Sequence, residues 1–492
     1  MPLATQAKSN KANATPVVDA KPQSSKGAAP IVTLASLSSH ATPFDAYKAT
    51  WSNFKATCPL KVLVIGAGVG GLTAAIGLTL SGHKVVIYEA VPTIKEAGAG
   101  IQVAPNASRI LERFGVLEEI KKDAIMMERN SLRGWKEDVE IGWVPLMPSV
   151  GEKYNAPLMV VHRADLQRIL LARAVALGVR IHTSSPVVAC SPNFSASIML
   201  GSGEWISGDI VIAADGIKSF VRAEIARRKG YKDTTVSTGD AAYRVVIDEE
   251  RMRGDEEALK LLRGDVGSRW MGPGGHIMAY PVRSHKLYNM VLIHPIRPQQ
   301  IDTESWTSPG SKAEMLKTYA GWNSTVRHLL SYVPDDGEVM EWTLNSHSPL
   351  PSWVEGKFVL IGDACHPMLP YVAQGAANAI EDAAVLTVAL GLMDSPEKIK
   401  DALKAYEVIR KERGEAIQAS ARETQRILHL PDGKEQEERD RRIRESTEAA
   451  RREGNGEKRN PDLWADQQWQ EFMWGVDVMK DTMERWEDIT RR

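Results

Sequence analysis

The chain has 492 residues, 43% of them apolar, and its 61 lysines and arginines nearly cancel 62 aspartates and glutamates, for a formal charge of −1. That length exceeds what one hydrophobic core serves, so two joined lobes with flanking segments are expected. The charge balance, with no basic patch interleaved with aromatics, excludes a nucleic-acid partner.

Three cysteines, Cys58, Cys190 and Cys365, show no paired spacing, which suits a reducing cytoplasmic compartment and no structural metal. No run of eighteen apolar residues occurs, so no membrane span is expected. Residues 1–55 are rich in Ala, Ser, Thr, Lys and Pro and lack an apolar core; they read as a disordered leader.

The informative stretch begins at Leu60. An apolar run of strand type enters Gly66-Ala67-Gly68-Val69-Gly70-Gly71, a helix with Leu72, Ala75, Ile76 and Leu80 on one stripe follows, and Gly82 ends it. A second strand then runs from Lys84 to Tyr88 and closes on Glu89. This is a dinucleotide-binding βαβ unit. Gly66 permits the tight bend, Gly68 lets backbone amides approach a pyrophosphate, Gly71 lets helix and strand pack closely, and Glu89 is placed to accept from ribose hydroxyls.

A glycine-rich passage from Glu96 through Gly100 to Gln102 suggests a backbone-contact surface beside the nucleotide. Asp165 to Leu177 reads as a helix, Val179 to His182 as a strand, and Asp209 to Ala214 as a buried strand that ends in the turn Asp215-Gly216. From Val236 to Thr343 extended segments alternate with Gly and Pro turns, the texture of a second lobe with its own mixed sheet. Phe358 to Asp363 resumes the first lobe, and helices follow to about Gln425. The charged stretch from Gly433 to Arg459 reads as a solvated helix or mobile linker. The tail carries Trp464, Trp469, Trp474 and Trp486 and is expected to dock on the body. The expected organisation is therefore a leader (1–55), a dinucleotide domain in two parts (56–235 and 344–430), a substrate domain (236–343) and a charged helical segment (431–492).

Three further motifs narrow the reading. Asp215-Gly216-Ile217-Lys218-Ser219-Phe220-Val221-Arg222, Gly362-Asp363-Ala364-Cys365-His366-Pro367 and Gln374-Gly375-Ala376-Ala377-Asn378, with His162-Arg163-Ala164-Asp165, resemble the motif set of the single-component FAD-dependent aromatic monooxygenases. The resemblance covers residues 61–389. It is greatest to salicylate hydroxylase-like enzymes, including fungal ones acting on phenolic or indole natural products.

That resemblance implies an α/β fold: a Rossmann-like FAD-binding domain, an inserted mixed-sheet substrate domain and C-terminal helices. It implies that Gly66, Gly68, Gly71, Glu89, Gly100, Gln102, Arg163, Asp215, Asp363, Gly375 and Ala376 hold FAD. NAD(P)H then acts as co-substrate without a domain of its own, because the glycines between Gly264 and Gly275 neither follow an apolar strand nor open a helix. O2 is activated as a C4a-hydroperoxide and delivered to a small electron-rich aromatic, in secondary metabolism or, alternatively, in salicylate-type catabolism. Arg244, matching a substrate-side arginine of related fungal enzymes, and Tyr280 are the catalytic candidates, with His276 a candidate base. His366 and Cys365 read as structural. A monomer or homodimer is expected. A flavin oxidase without oxygen transfer, or a flavin-free binding protein on the same scaffold, are the competing readings.

Overall fold

A computed structural model of the chain describes residues 54–94, 99–296, 307–335, 339–453 and 459–491. Almost all of the predicted leader, and residues 96–98 of the glycine-rich passage, lie outside them. The central strand is β1 (Lys61–Ile65), whose Val62, Leu63 and Val64 are fully buried. Both its faces are covered, so it reads as a continuous apolar run rather than an alternation. Around it runs a six-stranded sheet in the order β18 (Val354–Glu355), β19 (Phe358–Leu360), β11 (Ile210–Ala213), β1, β2 (Lys84–Tyr88), β7 (Arg180–His182). Every pair but β18–β19 is parallel. Helices α1 (Val69–Leu80) and α2 (Pro105–Arg113) follow in sequence, and α3 (Arg163–Ala176) leads back to β7.

The Ser219 hydroxyl caps α4 (Phe220–Arg228) by accepting from Arg222 N at 3.0 Å. Beyond it lies an eight-stranded sheet, ordered β16 (Thr307–Gly310), β17 (Val339–His347), β12 (Thr235–Asp248), β15 (Leu287–Pro295), β14 (Gly275–Val282), β13 (Val266–Gly272), β4 (Arg129–Gly134), β5 (Glu140–Pro145). It reaches beyond residues 236–343. β4 and β5 come from the stretch the sequence reading gave to the dinucleotide domain, and β4 pairs in parallel with β13. The polar run Arg129-Asn130-Ser131 carries no strand periodicity; its partner is fixed by a chain segment far away in sequence.

Strand alternation gives this sheet two different faces. Tyr243, Val245, Ile247, Ile277, Met290 and Leu292 point one way and form a second core. Helices α5 (Glu256–Arg263), α6 (Lys312–Thr318) and α7 (Ser324–Ser331) each contribute buried residues to it. Arg244, Arg269, His276, Tyr280 and Asn289 occupy the opposite face, in register across β12, β15, β14 and β13. That face meets the first lobe, where the Gly100 amide donates to Asn289 Oδ1 at 2.7 Å.

The helices that close the structure are α8 (Gly375–Gly391), buried from Ala377 onward, and the thirty-residue α9 (Ile399–Leu428). They share a buried charge network. Asp382 of α8 accepts from Gly362 N (2.8 Å) and Arg410 Nε (2.8 Å) and pairs with His366 Nε2 (2.6 Å). Glu381 receives Arg413 (2.7 and 2.9 Å), Arg410 and Asn106 Nδ2 (2.7 Å). Burial would raise the Asp382 carboxyl, but His366 and Arg410 outweigh it and hold it down to about 2.

The charged stretch forms α10 (Lys434–Glu453), packed by Ile443 and Thr447 on Gly142 of β5, where a Cβ would come within 2.7 Å of Ile443 Cγ2. It is a helix with one buried seam rather than a linker. The tail docks as well, through buried Trp464 and Trp474, whose rings meet edge to face at 5.9 Å, and ends in α11 (Val478–Thr490). Arg109 donates to the carbonyls of Tyr154, Trp474 and Val476, and Arg113 pairs with Asp477.

Removing one member of a buried ion network strands the others. Arg410→Met should lower stability by about 3 kcal/mol, read as a fall in the urea midpoint relative to the unchanged chain.

Candidate active site

The βαβ turn assigns each glycine a physical reason. Gly66 has φ +97°, and a Cβ there would lie 2.5 Å from the Ala214 carbonyl oxygen. A Cβ on Gly71 would lie 2.1 Å from the Gly66 oxygen, whereas one on Gly68 meets nothing within 4 Å. Close packing therefore fixes the first two, and open space faces the third, at the start of α1 where the first-turn amides lack intrahelical acceptors. Glu89 does more than the sequence suggests: Oε2 accepts from Ala67 N at 2.7 Å and Oε1 from Val91 N at 3.0 Å, which ties the turn to the end of β2. Each oxygen keeps a lone pair for a ribose hydroxyl.

The Asp-Gly and Gly-Asp motifs are stitched together by a residue that the sequence reading quoted without a role. Arg222 is 1% exposed; it pairs with Asp233 at 3.0 Å and donates to the carbonyls of Ala364 (3.2 Å), Cys365 (3.0 Å) and Ser348 (2.7 Å). Its place in the Asp-Gly motif was the available signal. Asp215 Oδ2 accepts from Val221 N at 3.4 Å, Oδ1 has no partner among the described residues, and burial pushes its carboxyl up.

Asp363 stands apart from the network beneath it. Its side chain is exposed, in a short turn of 3-10 helix, yet protein surrounds it closely enough for desolvation to raise its carboxyl against the pull of Arg163 and His366. Just beyond, α8 starts at Gly375 and Ala376 without a side-chain cap, and a Cβ on Gly375 would meet only Met368 Cγ at 3.8 Å. Gln374 is sealed below, accepting from Asn106 at 3.0 Å, and Ala373 before it is left-handed at φ +50°. A carboxylate and free helix amides thus share one open edge.

Arg163, Arg244, Tyr280 and Gly100 converge opposite that edge. Tyr280 lies so close to Gly100 that a Cβ there would come within 2.4 Å of its ring, and the Gly100 amide is already bonded to Asn289. Gly100 therefore seats Tyr280, and its N–H is not free for a cofactor. Gln102, next on the same face of β3 (Gly100–Val103), has a buried Nε2 without a described partner. Arg244 carries no hydrogen bond or ion pair among the described residues; its guanidinium lies over the Trp342 ring at 5.4 Å. Burial, reinforced by Arg163, pushes it down to about 10, still charged at neutral pH. The Tyr280 phenol is pushed up by burial and stays protonated.

Ligand atoms of Cys365, His366 and Asp382 lie within 4.8 Å of one another. Asp382 already neutralises Arg410, and a cation added there would face that guanidinium, so the trio is structural. Cys365 is 2% exposed with its thiol raised by burial. Trp342 and Tyr371, which shape the space around Arg244 and α8, escaped the sequence reading because tertiary contact alone brings them there.

Comparison with known proteins agrees with this geometry. Residues 59–421 match the family described as the FAD binding domain. The chain is 37% identical over 383 residues to the FAD-dependent monooxygenase atnJ of Arthrinium sp, covering 78% of this chain and 88% of that protein. It is 34% identical over 364 residues to 3-hydroxybenzoate 6-hydroxylase 1 of Aquipseudomonas alcaligenes, covering 73% and 87%. A salicylate hydroxylase substrate complex superposes with TM-score 0.69 at 25% identity, over 86% of this chain and 97% of that one.

The open space at Gly68 and the closed space at Gly71 predict different defects. Gly68→Val should leave the thermal midpoint of the flavin-free protein nearly unchanged and abolish FAD retention on a desalting column. Gly71→Ala should lower both.

Proposed function

Because the chain belongs to the FAD-binding-domain family of flavoprotein monooxygenases, we propose that it hydroxylates an aromatic ring that presents an anionic oxygen, a phenolate or a carboxylate, to Arg244. The chain is an FAD-dependent, NAD(P)H-using monooxygenase of aromatic compounds, and no helix among the described residues is long and apolar enough to cross a membrane. The observation that carries the finer reading is the guanidinium of Arg244: largely buried, beside a second arginine, and without a counter-ion among the described residues. A buried cation in that state is expensive unless an anion completes it, and a planar fork suits a carboxylate or phenolate oxygen.

The residues present fit FAD. Glu89 would receive the adenosine ribose, the amides at Gly68 and the start of α1 the pyrophosphate, with Arg163 and Asp215 flanking it. Asp363, free and accessible, would accept from a ribityl hydroxyl, and the Gly375 and Ala376 amides would stabilise negative charge at the pyrimidine edge of the ring system. Gln102, with its unsatisfied Nε2, would contact the cofactor through its amide. Bound FAD supplies the redox chemistry, taking electrons from NAD(P)H and activating O2 for transfer to the ring.

The protein's own part is positioning. Arg244 fixes the anionic oxygen, which keeps the ring electron-rich, and Trp342 holds the guanidinium plane from its far side. Tyr280, protonated and packed on Gly100, offers a hydroxyl beside it.

Arg244→Ala should retain stoichiometric FAD yet cut hydroxylated product from a phenolic acid about 10–100-fold, the loss of one charge-assisted pair, with NAD(P)H oxidation diverted to peroxide release. Arg244→Lys should fall between. Turnover of the alanine variant within twofold of the parent would remove the assignment.

A further inference from the structure

Five polar side chains, among them the candidate base His276, meet on the face of the large sheet that carries Arg244. β12 bulges between Ser237 and Asp240, with Gly239 left-handed at φ +81°, and the bulge delivers Asp240 to a cluster built from three other segments. Asp240 Oδ2 accepts from Tyr371 Oη at 2.5 Å and Gln425 Nε2 at 2.6 Å, and His429 Nδ1 lies 3.4 Å from it. His429 Nε2 in turn sits 2.8 Å from His276 Nδ1. Tyr371 packs edge to face on both imidazoles, at 5.3 and 5.5 Å.

The order of these contacts fixes the tautomers. His429 faces a carboxylate with Nδ1, so that nitrogen carries the proton and Nε2 accepts. His276 must then donate from Nδ1, which leaves the lone pair on its Nε2. That atom has no hydrogen-bond partner among the described residues and is not among the polar atoms sealed from solvent, although the residue as a whole is 4% exposed. Both rings are neutral: burial takes His276 well below its usual range and His429 down to about 4. Burial raises Asp240, against the hydrogen bonds from Tyr371 and Gln425 and the nearby His294. The other charged neighbours are Arg269, held by Asp462, and Glu341, held beside His294.

We propose that His276 Nε2 takes the proton of a ring hydroxyl on the substrate and that His429 passes the charge to Asp240. The substrate O–H bond breaks as an N–H bond forms at His276 Nε2. The Nδ1 proton of His276 moves to His429 Nε2, and the Nδ1 proton of His429 moves to Asp240 Oδ2. One proton has entered, Asp240 ends as a neutral acid, and its negative charge has moved to the ring oxygen; no electrons change hands. His276 is the catalytic residue here, and His429, Asp240 and Tyr371 position it.

This rests on the Arg244 reading and sharpens the substrate class. His276 lies two strands from Arg244 and one inward-facing pair along the sheet, since Ala242 aligns with Ile293 and His276 while Arg244 aligns with Val291 and Met278. Strand spacing and rise put their Cα atoms about 12 Å apart. A ring with oxygen substituents at opposite ends, a hydroxyl towards His276 and an acid towards Arg244, spans that gap.

The test uses 3-fluoro-4-hydroxybenzoate bound to the holoenzyme, with 19F NMR reading ionisation of its hydroxyl between pH 5 and 9. On the parent enzyme the bound hydroxyl should ionise at lower pH than in solution. In His429→Gln and Asp240→Asn its ionisation should shift up by at least one pH unit, with the dissociation constant changed less than threefold. Arg244→Ala should instead lose binding. Unshifted ionisation in both relay variants, with binding retained, overturns the relay and leaves Arg244 standing. Failure of the parent to bind the probe overturns the Arg244 assignment and the relay together.

Discussion

The structure depends on one buried constraint, the pairing of Glu381 and Asp382 on α8 with Arg410 and Arg413 on α9. Four charges in a dry interior tolerate little displacement, because any carboxylate that loses its guanidinium is left desolvated and alone. His366, Gly362 N and Asn106 use the remaining lone pairs. The start of α8 and the turn carrying Asp363 are therefore pinned to the same network. Arg413 also donates to the Met473 carbonyl at 2.8 Å, so the C-terminal tail is held by it as well. A helix terminus that must meet a ligand at fixed distance gains its rigidity from a network that never touches the ligand.

The large sheet divides its labour by alternation. One face is an apolar core closed by three helices; the other carries Arg244, Tyr280, His276 and Arg269. A one-residue slip of β12 would exchange Arg244 for Tyr243 or Val245 and bury the cation in the core. The bulge before Asp240 resets the alternation of β12, and it falls where a carboxylate joins the histidine pair. α9 runs along all of this, offering Arg410 and Arg413 to α8, Gln418 to the Pro367 carbonyl at 2.6 Å, and Gln425 to Asp240.

Local pattern made the dinucleotide unit legible, since strand, turn, helix, cap and acid follow one another within thirty or so residues and each step constrains the next. The same holds for the structural reading of His366, whose motif neighbours foretold its enclosure. Arg244 was readable as a candidate by resemblance, but its lack of a counter-ion among the described residues was not, because that depends on what β17 and the first lobe bring beside it. β4 and β5 were missed for a related reason: their strand character comes from β13. Of the relay cluster only His276 was singled out in the sequence, as a candidate base, and its partners left no trace there. Asp240, His276, Tyr371 and His429 are separated by long stretches of chain, and only the bulge and the end of α9 bring them together.

Arg163 and Arg244 raise a last electrostatic point. Arg163 lowers Arg244's hold on its proton, burial disfavours the charge on both guanidinia, and Asp363 draws on Arg163 from across the site. Two guanidinia close together where water is scarce repel one another, and Arg244 has no counter-ion among the described residues. On the proposed reading a dinucleotide would bring phosphates to the Arg163 side, and an aromatic acid would bring one charge to the Arg244 side. An acid that neutralises Arg244 would therefore relieve its repulsion by Arg163, and a phosphate near Arg163 would ease the charge on Arg244, so the two ligands should favour one another's binding.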